Sequence, residues 1–430
     1  MQLKRKQSSL WPLLLLLSAL VVAAPAMAGS DAEAPDRPST DHADTQKKPS
    51  SRSPSDPNPL VDTATESAAI EMAAYDDTDH VTVFTPSIAL GVENVNGGSL
   101  HANYLVDVVS AASVDIVSTA SRRWQEVRHA GSLSGAYKPH DFGVEIGGSV
   151  SNEPDYLSWG GHALLTKDFD EKNWSLYLGY GFSRDTIGRC GGLNDGCTPF
   201  SVFSRDLLRN SIEGGADFVI DPASLGSLSA DVVLESGDQS KPYRYVPMFS
   251  PEVAPTVAKG ASVDWVNQNR NFERPLEQLP LSRRRYAITG RYARRIGSTT
   301  LRLEERLYDD SWGLAASSTD LRWVFEFGRR FALWPHGRFH VQKSVVFWKR
   351  AYVSGLGWDL PEYRTGDREL GPLWTVQGGL GVKWYVGHRE NPEAWAFTLT
   401  GDEMYTAFLD DLYVKQRGAV LGSLGFEGQF

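Results

Sequence analysis

Two cysteines, Cys190 and Cys197, bracket the stretch Cys-Gly-Gly-Leu-Asn-Asp-Gly-Cys, and the chain has no others. In a glycine-rich loop of an exported chain such a pair reads as a disulfide that staples the loop. A metal site is the competing chemistry, but no His lies within the loop and two thiols rarely suffice for zinc. Charged residues are the second candidate. Glu213, Asp217, Asp231 and Glu235 fall in two neighbouring segments. Arg291, Arg295, Arg302 and Arg306 fall in the next two with Glu304 among them, and Arg322 and Glu326 follow. Acidic and basic walls facing each other across a pore would impose a transverse field that selects polar solutes. Ion pairing between adjacent strands would use the same residues only to fill or solvate a lumen. The sequence leaves both open.

Hydrolytic chemistry would need a Ser–His pair, and the chain has nine His and many Ser. No Gly-x-Ser-x-Gly motif frames a nucleophile. His162 and His340 lie on strand segments, where a lone His is more often a hydrogen-bonded wall residue than a base. A phosphate loop, a dinucleotide fingerprint and His-Glu-x-x-His are all missing from the sequence. The expectation is a non-enzyme that uses no cofactor and no metal.

These side chains depend on strands to place them. The 430 residues include 40 Gly, 16 Tyr, 13 Trp and 18 Phe, a balance that suits strands better than long helices. From Val81 onward the dominant periodicity is two. Phe142, Val144, Ile146 and Val150 alternate with Asp141, Glu145 and Ser149. Trp174, Leu176, Leu178, Tyr180 and Phe182 alternate with Ser175, Tyr177, Gly179 and Gly181. Leu321, Trp323, Phe325 and Phe327, and later Val376, Leu380, Val382, Trp384 and Val386, repeat the pattern. One register is oily and the other is small or charged. Strands of soluble sandwiches usually average about five or six residues. Segments here run for about ten to fourteen, the length a tilted strand needs to cross a bilayer. Aromatic residues near segment ends, such as Tyr137, Phe169, Trp174, Phe331, Trp334, Trp374 and Trp395, match interfacial girdles. The expected fold class is all-β, a closed antiparallel transmembrane barrel of about 16 strands, within a range of about 14 to 18, with long extracellular loops.

Residues 1–28 read as a secretory signal peptide: Lys4, Arg5 and Lys6, an apolar stretch from Leu13 to Ala24, then Ala26-Met27-Ala28. Residues 29–80 carry twelve Asp or Glu against four Lys or Arg, and six Pro between Pro35 and Pro59. They read as a disordered acidic tail ahead of a barrel over 81–430. The acidic balance argues against nucleic acid as a partner.

The last strand presents Val420, Gly422, Leu424, Phe426, Gly428 and Phe430 on one face. A strand with Leu424, Phe426 and a final Phe430 resembles the terminal signal that the barrel assembly machinery reads, although Gly428 stands where a bulky aromatic is usual. Counting back from a periplasmic Phe430 sorts connections by length. Short hairpins at Asp168–Lys172, Asp221–Ser227, Gly297–Ser298, Trp334–Gly337 and Gly387–Pro392 fall inside. Asp185–Arg205, Gly237–Ser282 and Arg350–Leu370 fall outside and are long. The Gly237–Ser282 connection, rich in Pro and aromatics, could fold into the mouth or stand outward.

A tandem octad runs Val-Asp-Val-Val-Ser-Ala-Ala-Ser from Val106 and Val-Asp-Ile-Val-Ser-Thr-Ala-Ser from Val114. Its Asp and Ser could line a solute path, or Asp107 and Asp115 could cap the turns of an arched pair of strands. The octad resembles a known family, together with Arg122–Gly131, Glu153–Trp159, Gly237–Pro247 (Gly-Asp-Gln-Ser-Lys-Pro-Tyr-Arg-Tyr-Val-Pro) and Arg274–Pro280 (Arg-Pro-Leu-Glu-Gln-Leu-Pro). This is the domain of unknown function 3570 family, in the branch common in myxobacteria. The resemblance covers Val95 to Phe430. It implies an outer-membrane barrel and carries no established activity. Its members' neighbourhood of thioredoxin-like proteins and flavin transferases hints at envelope redox work.

The function expected is a porin-like channel or export conduit for small polar or charged solutes, exported to the bacterial outer membrane and in contact with its lipid. The alternative is an occluded structural or interaction barrel, a surface adhesin or a scaffold in an envelope redox or polysaccharide system. The solute and the oligomeric state are not legible in the sequence.

Overall fold

The computed structural model describes residues 64–111, 124–190, 197–354, 359–386 and 395–429. The signal peptide, the tail up to residue 63, octad residues 112–121 and Phe430 lie outside them. Sixteen antiparallel strands close into one barrel. They are β1 (Ala64–Asp77), β2 (Val81–Asn94), β3 (Gly98–Ala111), β4 (Trp124–Tyr137), β5 (Phe142–Glu153), β6 (Tyr156–Phe169), β7 (Trp174–Ile187) and β8 (Arg205–Asp221). The second half is β9 (Ser224–Gly237), β10 (Ser282–Ile296), β11 (Thr299–Asp310), β12 (Ala315–Phe327), β13 (Phe331–Gln342), β14 (Leu373–Val386), β15 (Trp395–Phe408) and β16 (Gln416–Gln429). β1 pairs with β16 from Ser67↔Gln429 to Asp77↔Ala419, which closes the sheet and leaves no edge.

The alternation read from the sequence sets the two faces. On β7 the outward row of Trp174, Leu176, Leu178 and Tyr180 is 45–56% exposed, an apolar surface that a soluble fold would bury. At the end with short turns, Phe331, Trp384, Phe397 and Phe426 stand directly opposite one another across β13 to β16. Their rings touch in sequence at centroid distances of 6.5, 5.7 and 4.9 Å. That is a continuous arc of an interfacial girdle.

Two sequence expectations are corrected. The barrel begins at Ala64, not Val81. β1 is rich in Ala and carries Glu66, Glu71, Asp76 and Asp77, so its composition matches the acidic tail, but Ile70 and Met72 face outward and both edges are paired. The expected Trp334–Gly337 hairpin lies within β13, and the turn falls at residues 328–330, where Gly328 takes φ 59°. Pro335 caused the misreading. It keeps its place opposite Leu380 on β14, and the β12 ladder skips from Arg322↔His336 to Phe325↔Leu333 beside it. A strand tolerates Pro when only one ladder is interrupted.

Described short turns at 95–97, 138–141, 170–173, 222–223, 297–298 and 328–330 share one end, as the parity argument expected. The longest connections, 188–204, 238–281 and 343–372, share the other. The buried apolar clusters lie at this long-loop end. One joins Tyr75, Val81, Val83, Ala419 and Leu421 at the strand ends. The others belong to the loops, which carry a parallel pair of Met248–Phe249 with Tyr352–Val353 and a helix α1, Val263–Asn269, capped by Ser262. No helix among the described residues is long and apolar enough to cross a membrane.

Candidate functional site

The inward register builds a charged wall, and adjacent strands pair many of its charges. Arg291 on β10 bonds Glu304 on β11 at 2.6 Å, and Arg295 reaches Glu326 on β12 at 2.9 Å. Arg306 on β11 reaches back to Asp231 on β9 at 3.4 Å and donates to Thr289 Oγ1 at 3.2 Å. Glu213 and Asp231 stand directly opposite each other, an acidic pair that Arg306 partly offsets. Asp217 faces Ser175 and Ser227 across its two ladders. Of the two arrangements left open by the sequence, neighbour pairing is the one these contacts realise.

Glu235 departs from the expected open wall. It lies at the long-loop end, where Arg209 contacts it at 3.1 Å and Arg285 at 3.5 Å, while Arg209 also holds Asp185 at 3.1 Å. This network is sealed: the Glu235 and Asp185 side chains are 1% and 0% accessible, against 48% for Arg291 and 52% for Arg295. Glycines on the inward register help keep the lower wall flat. A Cβ at Gly379 would come within 2.3 Å of Asp402, and one at Gly179 within 2.7 Å of Glu213, so these side chains lie along the sheet where Gly leaves space. Across Gly379, His336 binds Asp320 at 2.7 Å through Nε2 and Asp402 at 2.9 Å through Nδ1. An imidazolium with two N–H donors satisfies both carboxylates.

At the long-loop end the loops fold into a cap. Phe249, Val257 and Val266 of the 238–281 connection pack with Leu412 of 409–415. Val246 and Met248 pack with Tyr352 of 343–372. Main-chain bonds join the same segments: Gln278 and Arg364 exchange bonds of 3.0 and 2.9 Å, and Ala261 N donates to Leu412 O at 2.7 Å. The polar centre is Arg244, which contacts Glu277 at 3.3 Å and Asp367 at 2.6 Å. Burial opposes its charge, but the Asp367 and Glu277 carboxylates outweigh that and hold its pKa above the ordinary value. Glu277 also accepts from Thr365 Oγ1 at 2.6 Å and Lys241 N at 2.9 Å. Burial pushes the Tyr352 phenol up to about 12, so it stays protonated and donates to Phe347 O at 2.9 Å. Arg368 reaches across to Asp79 in the β1–β2 turn, tying the cap to the start of the barrel.

Sequence reasoning did not single out Arg244, Glu277 or Asp367. A signal was present: Arg244 and Glu277 come from the two loop stretches that carried the family resemblance. Arg128, in a third such stretch, donates from Nε to octad Asp107 at 2.7 Å, and Thr85 donates to the same carboxylate at 2.5 Å. Asp107 is thus a buried wall residue of β3 and caps no turn. Glu126, Glu153 and Asp155 gather their carboxylates within 4.8 Å at the long-loop ends of β4 to β6, a cluster the sequence did not reveal. Ser318 and His340 come together at 2.7 Å, with Gln342 3.5 Å from the other ring nitrogen. The ladders on both sides of Ser318 engage the local backbone amides that an oxyanion would need.

Cys190 and Cys197 oppose each other in a two-residue antiparallel pair, with their sulfurs bonded and their Cα atoms 3.9 Å apart. Nearby, Asp155 accepts from Cys190 N at 3.2 Å. Reduction should loosen this segment. Tryptic cleavage at Arg189 is expected to speed up severalfold in dithiothreitol, and equal rates with and without reductant would argue against the staple.

A family described as "Protein of unknown function (DUF3570)" matches residues 208–407, from β8 through the cap to β15. The resemblance read from the sequence holds over that span. No curated protein matches. Among solved structures, the siderophore receptor PirA from Acinetobacter baumannii is similar at 12% identity and a TM-score of 0.40, covering 80% of this chain and 53% of that one. OccK11 from Pseudomonas aeruginosa is similar at 9% identity and a TM-score of 0.39, covering 85% and 96%. A bacterial polysaccharide outer membrane secretin is similar at 8% identity and a TM-score of 0.44, covering 86% and 98%. The chain spans about half the length of the first siderophore receptors it matches. These likenesses concern the fold alone, the closed antiparallel barrel already described.

Proposed function

We propose that the chain is an outer-membrane conduit for small polar or charged solutes, with a solvated vestibule toward the periplasm and a folded cap across the outer mouth. One observation carries this reading. Side-chain accessibility on the inward wall falls from 52% at Arg295 and 48% at Arg291 to 1% at Glu235. An inert scaffold has no need to keep water-accessible charge inside its wall, and here the accessible Arg291 and Arg295 lie on the half of β10 away from the cap. The cap makes this a mouth that must open, in contrast to a permanently open porin. The outward apolar rows would face membrane lipid, and the C-terminal sequence with Leu424, Phe426 and Phe430 would be read by the barrel assembly machinery after export by the N-terminal signal. We read the chain as a non-enzyme.

The occluded interaction barrel has one observation in its favour, the cap's own apolar core of Phe249, Val257, Val266 and Leu412. Planar-bilayer recording of the refolded protein separates the two. The conduit reading expects discrete openings whose ion selectivity under a salt gradient shifts when Glu213→Lys or Arg291→Glu reverses a wall charge. A folded barrel that never conducts, even after Arg244→Ala, would favour the occluded barrel.

A further inference from the structure

We infer that Arg322 on β12 and Arg338 on β13 form a subsite for an oxyanion, a carboxylate or phosphate group, on the lumen wall. This takes its solute from the conduit reading, while its test does not depend on conduction. Both residues sit on the inward register, and Arg338 is exposed to the lumen. Neither has a hydrogen-bond or ion-pair partner among the described residues.

The nearby carboxylates are engaged elsewhere. Asp320 is the direct cross-strand partner of Arg338, yet its Oδ2 turns to His336 at 2.7 Å. Asp402 holds the other ring nitrogen at 2.9 Å. Glu304 bonds Arg291, and Glu326 bonds Arg295. On its other side Arg322 stands directly opposite Arg302, a like charge that has a partner of its own and offers Arg322 none. A bound anion would supply that partner.

The geometry selects the class. Arg322 lies directly opposite His336, and Arg338 is two residues beyond it, so the arginines are diagonal cross-strand neighbours. Such positions lie about 7–8 Å apart, within the joint reach of two long side chains. Guanidinium groups recognise planar or tetrahedral oxyanions through paired N–H donors, which a spherical halide does not exploit. The anion most favoured therefore carries a carboxylate or phosphate group small enough to enter the vestibule.

Inorganic phosphate and acetate are the probes, with binding to the detergent-refolded full barrel followed by phosphorus and proton NMR linewidths. Broadening of either probe is expected for the wild type. Arg322→Gln or Arg338→Gln should each weaken binding by about tenfold, while the paired lysine substitutions, which keep the charge, should retain part of it. Arg294→Gln, on the outward face, should leave it unchanged. Folding of each variant is checked by heat-modifiable gel mobility. Absence of broadening by both probes in the folded wild type, or equal broadening in the folded glutamine variants, overturns the subsite. A barrel that never conducts but binds phosphate through these arginines defeats the conduit reading and leaves this one standing.

Discussion

Arg244→Ala is expected to open the outer mouth, with at least a tenfold rise in open-channel activity in planar bilayers and faster proteolysis within residues 238–281. Arg244 holds two loops at once, through Glu277 in its own connection and Asp367 in the 343–372 connection. The Glu277 side chain is fully buried. Without the guanidinium it keeps Thr365 Oγ1 and Lys241 N as donors, but its negative charge is left without a counterion. Breaking one side of such a pair costs about 3–5 kcal/mol, more than the apolar contacts of one cap cluster readily absorb. The strands do not depend on this contact, so heat-modifiable mobility should be unchanged. Arg244→Lys should lie between, because Nη1 alone makes both contacts and the ammonium of a shorter side chain keeps the charge but not the reach. Wild-type proteolysis and conductance in the folded Arg244→Ala barrel would show that the cap is held elsewhere.

The barrel was more legible than its cap because alternation is a local property. The outward row of β7, from Trp174 to Phe182, and the terminal row from Val420 to Phe426 are visible wherever one wall faces lipid and the other water. β1 escaped because Ala, Glu and Asp dominate it, and only pairing with β2 and β16 makes it a strand. Pro335 misled because composition does not say which ladder its missing N–H would interrupt. Alternation assigns the charged residues to one register, but their partners follow from strand pairing: Arg306 meets Asp231 from 75 residues away. The cap's polar centre is more remote still, with Arg244 and Asp367 separated by 123 residues. No periodicity records a contact of that kind. Its trace was the unusual stretches Gly237–Pro247 and Arg274–Pro280, recognisable as a resemblance before their side chains had a role.

Asp310→Ala should be among the most destabilising single substitutions on the barrel wall, lowering the temperature of heat-induced mobility change by roughly 5–10 °C. Asp310 ends β11 with its side chain fully buried. Oδ2 accepts from Arg283 Nε at 2.8 Å, Arg283 Nη2 at 2.6 Å and Tyr308 Oη at 2.9 Å. Oδ1 accepts from Trp312 N at 2.9 Å and Leu314 N at 3.0 Å, which shapes the turn into β12. That turn carries Trp312 and Leu314 into a cluster with Leu279 and Val345, and Arg283 stacks 4.3 Å from the Trp312 ring. Alanine would strand a buried guanidinium and two turn amides together. Asp310→Asn keeps an acceptor for the turn but loses the charge opposite Arg283, so about half the loss is expected. The control is the preceding residue. Asp309 is exposed on the outward row, so Asp309→Ala should change stability by less than about 0.5 kcal/mol. Because the side-chain period is two, a one-residue slip in register would exchange the two outcomes. A tolerant Asp310 beside a sensitive Asp309 would therefore refute the inward and outward assignment of β11, and with it the placement of Glu304 and Arg306 in the lumen.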